Sequence, residues 1–226
     1  MDDKPHYIGH RQRLRRRLID GGADALPDYE LLELVLFAAL PRRDVKPLAK
    51  QLIDHFGNFA EVISANPARL AEVDGIGDSG VAALKTVQAA ALRLLRSEVI
   101  EKPVIGSWKK LIAYCRASMA LETIEQFRVL FLNHRNVLIA DEVQQRGTVD
   151  HTPVYPREVI KRALDLGASA IIMVHNHPSG DPAPSQADIE MTHEVKEVGA
   201  KLGIVLHDHV IVGRNGHSSF KSMGLI

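Results

Sequence analysis

The sequence predicts an α/β (α+β) protein in two parts, an all-helical N-terminal domain followed by a mixed β-sheet domain flanked by helices. Three observations support this prediction. No convincing strand pattern precedes residue 100, four strand-like runs follow it, and a stretch with the composition of a linker, EKPVIGS (101–107), lies between. The length of 226 residues allows one large domain or two small ones. We therefore expect domains at 1–101 and 102–226.

Helical patterns fill the N-terminal domain. The first is a basic run closed by a Gly-Gly pair, and the last is a long alanine- and leucine-rich run that begins after a tight turn. Between them, an Asn-Pro pair splits one segment into two short helical turns. The predicted helices cover 10–20, 27–40, 44–57, two turns within 58–73 and a long helix within 74–100.

Strand and helix patterns alternate in the C-terminal domain. The stretch LNHRNVL between the first two strand-like runs is typical of a hairpin, whereas helical patterns separate the later runs. The domain therefore combines an antiparallel hairpin with helical connections. The predicted strands are 126–133, 137–147, 169–176 and 204–213, and the predicted helices are 107–120, 156–167 and 185–203.

Composition excludes several classes of protein. The 28 basic and 28 acidic residues balance, so binding of nucleic acid would need a local basic patch. Cys115 is the only cysteine, which excludes an intramolecular disulfide and a zinc site built from several thiolates. The polar N-terminus lacks the apolar core of a signal peptide, and no apolar run approaches the roughly 20 residues of a membrane span. We expect a cytoplasmic protein that does not enter a membrane.

The stretch VHNHPSGDPAPSQAD (174–188) has the spacing of metal ligands. His175 and His177 end a predicted buried strand, and residues two apart on an extended backbone point to the same face. Ser185 has the residue type of a helix N-cap, and Asp188 lies one turn into that helix. Two imidazoles and one carboxylate, with a fourth position left for water, form the pattern of a catalytic zinc site. The alternative is an ordinary polar turn without a metal.

The spacing His-x-His, seven residues, Ser, two residues, Asp resembles the JAMM motif of the JAB1/MPN/Mov34 metalloprotease-like domains. The segments HNHPSGDPAPSQADIEMT and LGIVLHDHVIVG resemble the RadC family of bacterial proteins, as do GADALPDYELLELVLF and LAEVDGIG in the N-terminal domain. The resemblance implies a JAMM/MPN-type sheet domain that binds one Zn²⁺ per chain through His175, His177 and Asp188.

The resemblance also implies roles for other residues. Ser185 would hydrogen-bond the developing oxyanion or the attacking water. The family motif includes a glutamate at the start of the first core strand, and Glu125 fits that position as the general base, with Glu122 close by. Glu158 is the rival for this role, although an acidic residue at a helix start is also favourable for electrostatic reasons alone.

A second His-x-His pair occurs in the last predicted strand. On a regular strand His207 and His209 share one face and Asp208 points to the other. A second metal site is one interpretation. The favoured interpretation is that Asp208 or His209 orients a ligand imidazole, or is plain strand structure.

Two features of the N-terminal domain are typical of DNA contact. VDGIGDSGVAALKTV (73–87) resembles a helix-hairpin-helix turn, in which Gly75, Ile76 and Gly77 would present backbone N–H groups to a phosphate, with Lys85 as the nearest cation. A helix connection that packs or binds protein is the alternative. The second feature is a basic cluster that would grip phosphates or form a solvated face: Arg11, Arg13, Arg15, Arg16 and Arg17.

The leading hypothesis is a zinc-dependent, metallopeptidase-like hydrolase that cleaves an amide or isopeptide bond in an unidentified protein or peptide. Glu125 would take a proton from the attacking water and pass it to the leaving amine. The first alternative is a DNA-binding accessory protein in repair or recombination, with a structural or vestigial metal site. The second alternative is a metal-dependent nuclease.

Overall fold

The computed structural model describes residues 9–100, 103–147 and 154–226. The chain divides into two compact units, Met1–Ala90 and Ala91–Ile226. The helices are α1 His10–Gly21, α2 Asp28–Ala39, α3 Lys46–Phe56, α4 Phe59–Ser64, α5 Pro67–Ala71, α6 Gly77–Ser97, α7 Trp108–Met119, α8 Pro156–Asp165 and α9 Gln186–Lys201, with 3-10 turns at Ala23–Ala25 and Val104–Ser107. The strands are β1 Gln126–Leu132, β2 Leu138–Arg146, β3 Ala170–Asn176, β4 Val205–Gly213 and β5 Gly216–Ser219.

The predicted fold class is confirmed, because a helical N-terminal region precedes a mixed sheet with helices. The helical unit packs around buried leucines of α2, α3 and α6, among them Leu36, Leu52 and Leu84. Side-chain caps begin its short helices, since Asn58 accepts a hydrogen bond from the first turn of α4 and Asn66 does so for α5.

The described strands form one sheet in the order β2-β1-β3-β4-β5. β3 and β4 are parallel and are joined by α9, whereas the other neighbours are antiparallel. The predicted β1–β2 hairpin is confirmed: Asn133 Oδ1 accepts two backbone N–H groups in the turn, and Asn136 has a φ of 58°. One apolar layer packs β1 and β3 on α7, and another packs the opposite face on α8 and α9.

Two parts of this unit differ from the expectation. The predicted linker is part of the sheet unit, because Val104 is fully buried in its core and Pro103 forms a β-bridge with Val137; residues 101–102 lie outside the described residues. β5 has no counterpart among the predicted strands because it is short and polar, and it is stabilised by pairing with β4. No helix in the described part of the chain has the length and apolar character that a membrane crossing requires.

Candidate metal centre

The His-x-His pair lies where β3 leaves the sheet. His175 is in β3 opposite Phe127 of β1. The His177 backbone N–H donates to the Val212 carbonyl at 3.0 Å, so the extended backbone continues past the strand end and both imidazoles share a face. The chain then turns at Gly180, which has a φ of 90° and packs closely on β4: a Cβ at Gly213 would lie 2.3 Å from the Gly180 oxygen.

Asp188 is held at the start of α9 by a capping box with Ser185. The Ser185 hydroxyl accepts a hydrogen bond from the Asp188 backbone N–H at 3.1 Å. In return, Asp188 Oδ2 accepts from the Ser185 backbone N–H at 2.8 Å and from the Ser185 hydroxyl at 2.6 Å. These contacts direct the carboxylate back towards the strand end rather than out along the helix.

The structure brings the three predicted ligands together. The Nε2 atoms of His175 and His177 are 2.9 Å apart, and Asp188 Oδ1 and Oδ2 lie 3.3 Å and 3.6 Å from them, respectively. Bonds of about 2.0–2.2 Å in a tetrahedral zinc site place ligand atoms roughly 3.3–3.6 Å apart. The group therefore needs only a small opening between the two imidazoles to hold such an ion.

A hydrogen-bond chain fixes which nitrogen of His175 carries the proton. The Thr192 hydroxyl lies 2.5 Å from the backbone carbonyl of Asp188, which only accepts, so the hydroxyl donates there. It must then accept from His209 Nδ1 at 2.6 Å, which leaves His209 Nε2 as an acceptor for His175 Nδ1 at 2.8 Å. His175 Nε2 therefore presents an unprotonated lone pair to the other ligands.

His177 is oriented in the same way by a different partner. Its Nδ1 donates to the backbone carbonyl of Asp181 at 2.8 Å, so its Nε2 is the unprotonated nitrogen in the neutral ring. Two nitrogen lone pairs and a carboxylate then face one point. These electron-rich groups repel one another unless a cation or a proton lies between them.

The pKa values of the group follow from burial and from these contacts. Burial lowers the pKa of His175 to about 4, against a smaller opposing effect of the Asp188 charge. Burial also holds the pKa of His209 well below its usual value. The hydrogen bond to Asp188 raises the pKa of His177. Burial alone would raise the pKa of Asp188, but the contacts with His177, His175 and Ser185 hold it well below its usual range.

Near neutral pH the group therefore consists of an ionised carboxylate and a neutral His175, which are the forms that bind metals. A proton competes with a metal ion only at His177 Nε2, where the neighbouring carboxylate favours the charged ring.

Glu125 lies directly before β1, beside this group. β1 pairs antiparallel with β3 so that Phe127 faces His175, and continuing that register places Glu125 opposite His177. The charge of Glu125 contributes to the raised pKa of His177. Glu158, in contrast, is exposed in the first turn of α8, and its carboxylate pairs with Arg157 at 3.3 Å.

Asn176 is a positioning residue that the sequence reasoning missed. Its side chain is fully buried on the opposite face from the two histidines that flank it. Its Oδ1 accepts the Gln126 backbone N–H at 2.8 Å, and its Nδ2 donates to the carbonyls of Glu122 and Ile124. The strand alternation indicated an inward Asn176, and a buried amide needs such partners. Thr192 was missed because nothing local in the helix marks it.

The expectation that His207 and His209 share a face was wrong. Ile171 pairs with Leu206 but Ile172 pairs with Asp208, so β4 bulges at His207 and the alternation of side chains breaks there. His209 reaches His175, as the favoured interpretation anticipated. His207 instead contacts Asn136 Oδ1 at 2.5 Å. Among the described residues, His175, His177 and Asp188 form the one cluster of His, Cys, Asp or Glu with metal-binding spacing.

The residues predicted for DNA contact have roles inside the helical unit. Gly75, with a φ of 88°, lies in the turn between α5 and α6, Gly77, with a φ of 58°, begins α6, and Ile76 between them is buried. Lys85 Nζ donates to the carbonyls of Ile63 and Ala65, at the end of α4. In the basic cluster, Arg11 donates to carbonyls at and beyond the end of α2, Arg16 pairs with Asp20, and Arg17 pairs with Glu30.

The chain is similar to known proteins over both units. Residues 105–225 match the family model described as RadC-like JAB domain, and residues 7–82 match that described as UPF0758 N-terminal. A Rhodobacter capsulatus protein named UPF0758 protein is 61% identical over 213 residues, which is 94% of this chain and 100% of the relative.

Proposed function

Since the chain belongs to the RadC-like family of JAB-domain proteins, a JAMM-type family, we propose that it is a zinc-dependent hydrolase that cleaves an amide or isopeptide bond. This membership confirms the resemblance read from the sequence. The observation that carries the proposal is the convergence of two imidazole Nε2 lone pairs and one ionised carboxylate at a strand end. The substrate class we propose is a protein or peptide.

The donor set fits zinc. Two imidazoles and one carboxylate suit this ion, and three protein ligands leave one position for water, as in catalytic rather than structural sites. When bound, Zn²⁺ lowers the pKa of its water to roughly 7 and polarises the substrate carbonyl. The hydrogen bonds of His175 and His177 through Nδ1 hold both rings in the tautomer that such a site requires.

Glu125 is the proposed general base. It accepts a proton from the attacking water and passes it to the amine nitrogen that leaves. Its place opposite His177 and its effect on the pKa of that imidazole support this role. Ser185 would turn its hydroxyl from Asp188 towards the developing oxyanion, a role for which its place at the start of α9 is suitable.

The test is cleavage of fluorogenic peptides and isopeptide-linked peptides by protein of measured zinc content. We expect Glu125→Gln to keep its zinc and lose roughly 10²- to 10⁴-fold in kcat. Glu158→Gln is the matched control and should retain activity. The proposal is wrong if zinc-loaded protein cleaves no amide substrate, or if His177→Ala cleaves as fast as the unmodified protein. Zinc-dependent cleavage of DNA alone would favour the nuclease.

The second candidate function, DNA binding by the helical unit, rests on a separate observation. A groove of about 630 Å³ in that unit is lined by four arginines and one carboxylate, Asp44. A basic groove of this kind attracts a phosphate backbone without reading its sequence. The arginines are Arg11, Arg15, Arg42 and Arg43.

Retention of duplex DNA in a gel at low salt tests this second function. We expect the double variant Arg15→Gln, Arg42→Gln to lose retention, because it removes two phosphate-binding charges. Arg157→Gln, which changes an exposed cation in α8, is the control. Equal retention by both variants would exclude this groove as the DNA-binding surface.

A further inference from the structure

A second cavity lies in the sheet unit, on the sheet face opposite the metal centre. Its volume is about 310 Å³, at the lower end of the range of small-molecule sites. Apolar walls come from Val104, Trp108 and Ile172. Ile172 belongs to the apolar layer under α7, whereas the neighbouring Met173 belongs to the layer on the face of His175. The cavity is therefore separate from the proposed zinc ligands.

The acidic group in the cavity wall is already satisfied. Asp208 is 2% exposed, and its Oδ1 accepts the backbone N–H groups of His209 at 2.8 Å and Lys221 at 2.9 Å. Its Oδ2 accepts the Ser219 hydroxyl at 2.5 Å. This carboxylate is a fixed negative charge behind the wall, and no further donor is needed to balance its hydrogen bonds.

Two residues that line the cavity carry donors that are unused. The Lys221 ammonium and the Trp108 indole N–H make no hydrogen bond or ion pair with any residue in 9–100, 103–147 or 154–226. His207, the residue at the β4 bulge, donates through Nε2 to Asn136 and lines the same cavity. Burial and the charge of Lys221 both lower the pKa of His207, so this imidazole is neutral beside the cation.

We propose that this cavity binds a small monocarboxylate with a flat apolar body. The apolar body would lie against Trp108 and Ile172, and the carboxylate would accept from the Lys221 ammonium and the indole N–H. A single cation suits a single negative charge. A phosphate monoester carries nearly two charges, so Lys221 would leave one of them unbalanced beside the carboxylate of Asp208.

Trp108 is the only tryptophan of the chain, so its indole N–H gives a single, separate NMR cross-peak. The experiment titrates the full-length ¹⁵N-labelled protein with phenylacetate and follows this cross-peak and the tryptophan fluorescence. Phenylacetamide, a neutral compound of the same shape, is the matched ligand. We expect a saturable shift with phenylacetate and at least tenfold weaker binding of phenylacetamide.

Variants assign the effect to Lys221. Lys221→Gln should weaken phenylacetate binding about tenfold, and Lys221→Arg should restore it. Lys201→Gln removes a cation on α9 outside this cavity and should leave phenylacetate affinity unchanged. His177→Ala should also bind phenylacetate normally, and this result would separate the cavity from the zinc-dependent function. The proposal is wrong if both compounds bind equally or if neither gives a saturable shift. It is also wrong if the cross-peak shifts with protein concentration in the absence of ligand, because that result would show a second copy of the chain in the cavity.

Discussion

Thr192→Val tests the hydrogen-bond chain that sets the tautomer of His175. Valine has the shape of threonine but neither accepts nor donates, so His209 Nδ1–H would have no acceptor in a fully buried place. His209 would then carry its proton on Nε2 and donate to His175 Nδ1. That shift moves the proton of His175 to Nε2, the atom that faces Asp188 and His177.

The size of the effect follows from the cost of reversing this shift. To bind a metal, the variant must return both rings to the original tautomers and leave the His209 donor unsatisfied, at a cost of about 1–3 kcal/mol. With about 1.4 kcal/mol for each tenfold change, zinc affinity should fall roughly 5- to 140-fold. This range includes the roughly 10- to 100-fold loss typical of residues that orient metal ligands.

Competition with a chromophoric chelator measures the zinc affinity, and ¹⁵N chemical shifts of the imidazoles report the tautomer directly. Thr192→Ser keeps the hydroxyl and is the matched control, for which we expect affinity close to that of the unmodified protein. The reasoning fails if Thr192→Val binds zinc as tightly as the unmodified protein, or if Thr192→Ser loses as much as valine does.

Three further predictions concern metal removal, pH and the helical unit. His177→Ala should lose stoichiometric zinc, and in a chelator it should have the same free energy of unfolding as the unmodified protein. Zinc at a hundredfold excess over its Kd should raise the free energy of unfolding of the unmodified protein by about 2.7 kcal/mol. Measurements of zinc content and urea titrations check both expectations. Between pH 7 and pH 5 the chelated protein should lose at least about 1–2 kcal/mol of unfolding free energy. His175 (pKa about 4 when folded) takes up a proton only on unfolding, and the lowered pKa of His209 adds to this loss, whereas the raised pKa of His177 offsets part of it. Equal stability at both pH values would contradict this prediction. Lys85→Ala should lower the unfolding free energy of the helical unit by about 1–2 kcal/mol, because two carbonyls lose a donor; unchanged thermal unfolding together with lost DNA retention would instead support phosphate contact.

The strands and the ligand group were accessible to sequence reasoning because their signals are local. β1, β3 and β4 contain apolar runs and β2 alternates apolar with polar residues, and the observed bounds of all four differ by at most one residue from the predicted ones. The three candidate ligands fall between residues 175 and 188, within one strand end, one turn and the first turn of one helix. Spacing along a strand and an N-cap residue were sufficient to place them on the same side.

The features that were missed depend on contacts between distant parts of the chain. Thr192 acquires its role only through His209, 17 residues further on, and Asn176 through a segment about 50 residues upstream. Val104 lies in a stretch with linker composition, and only its packing under the sheet shows that it belongs to the core. The bulge at His207 shifts the register by one residue, which no alternation rule anticipates.

The parallel pair β3 and β4, with α9 between them, has a consequence for how this protein can change over time. All three candidate ligands lie within residues 175–209, a single β-α-β module. The hydrogen-bond chain that orients His175, through His209 and Thr192, lies within the same residues. Glu125 lies directly before β1, outside that module. Under the proposed function, metal binding and bond cleavage can therefore be lost independently in evolution. Replacement of Glu125 alone would leave the three candidate ligands and the hydrogen bonds of His175 in place but remove the proposed general base.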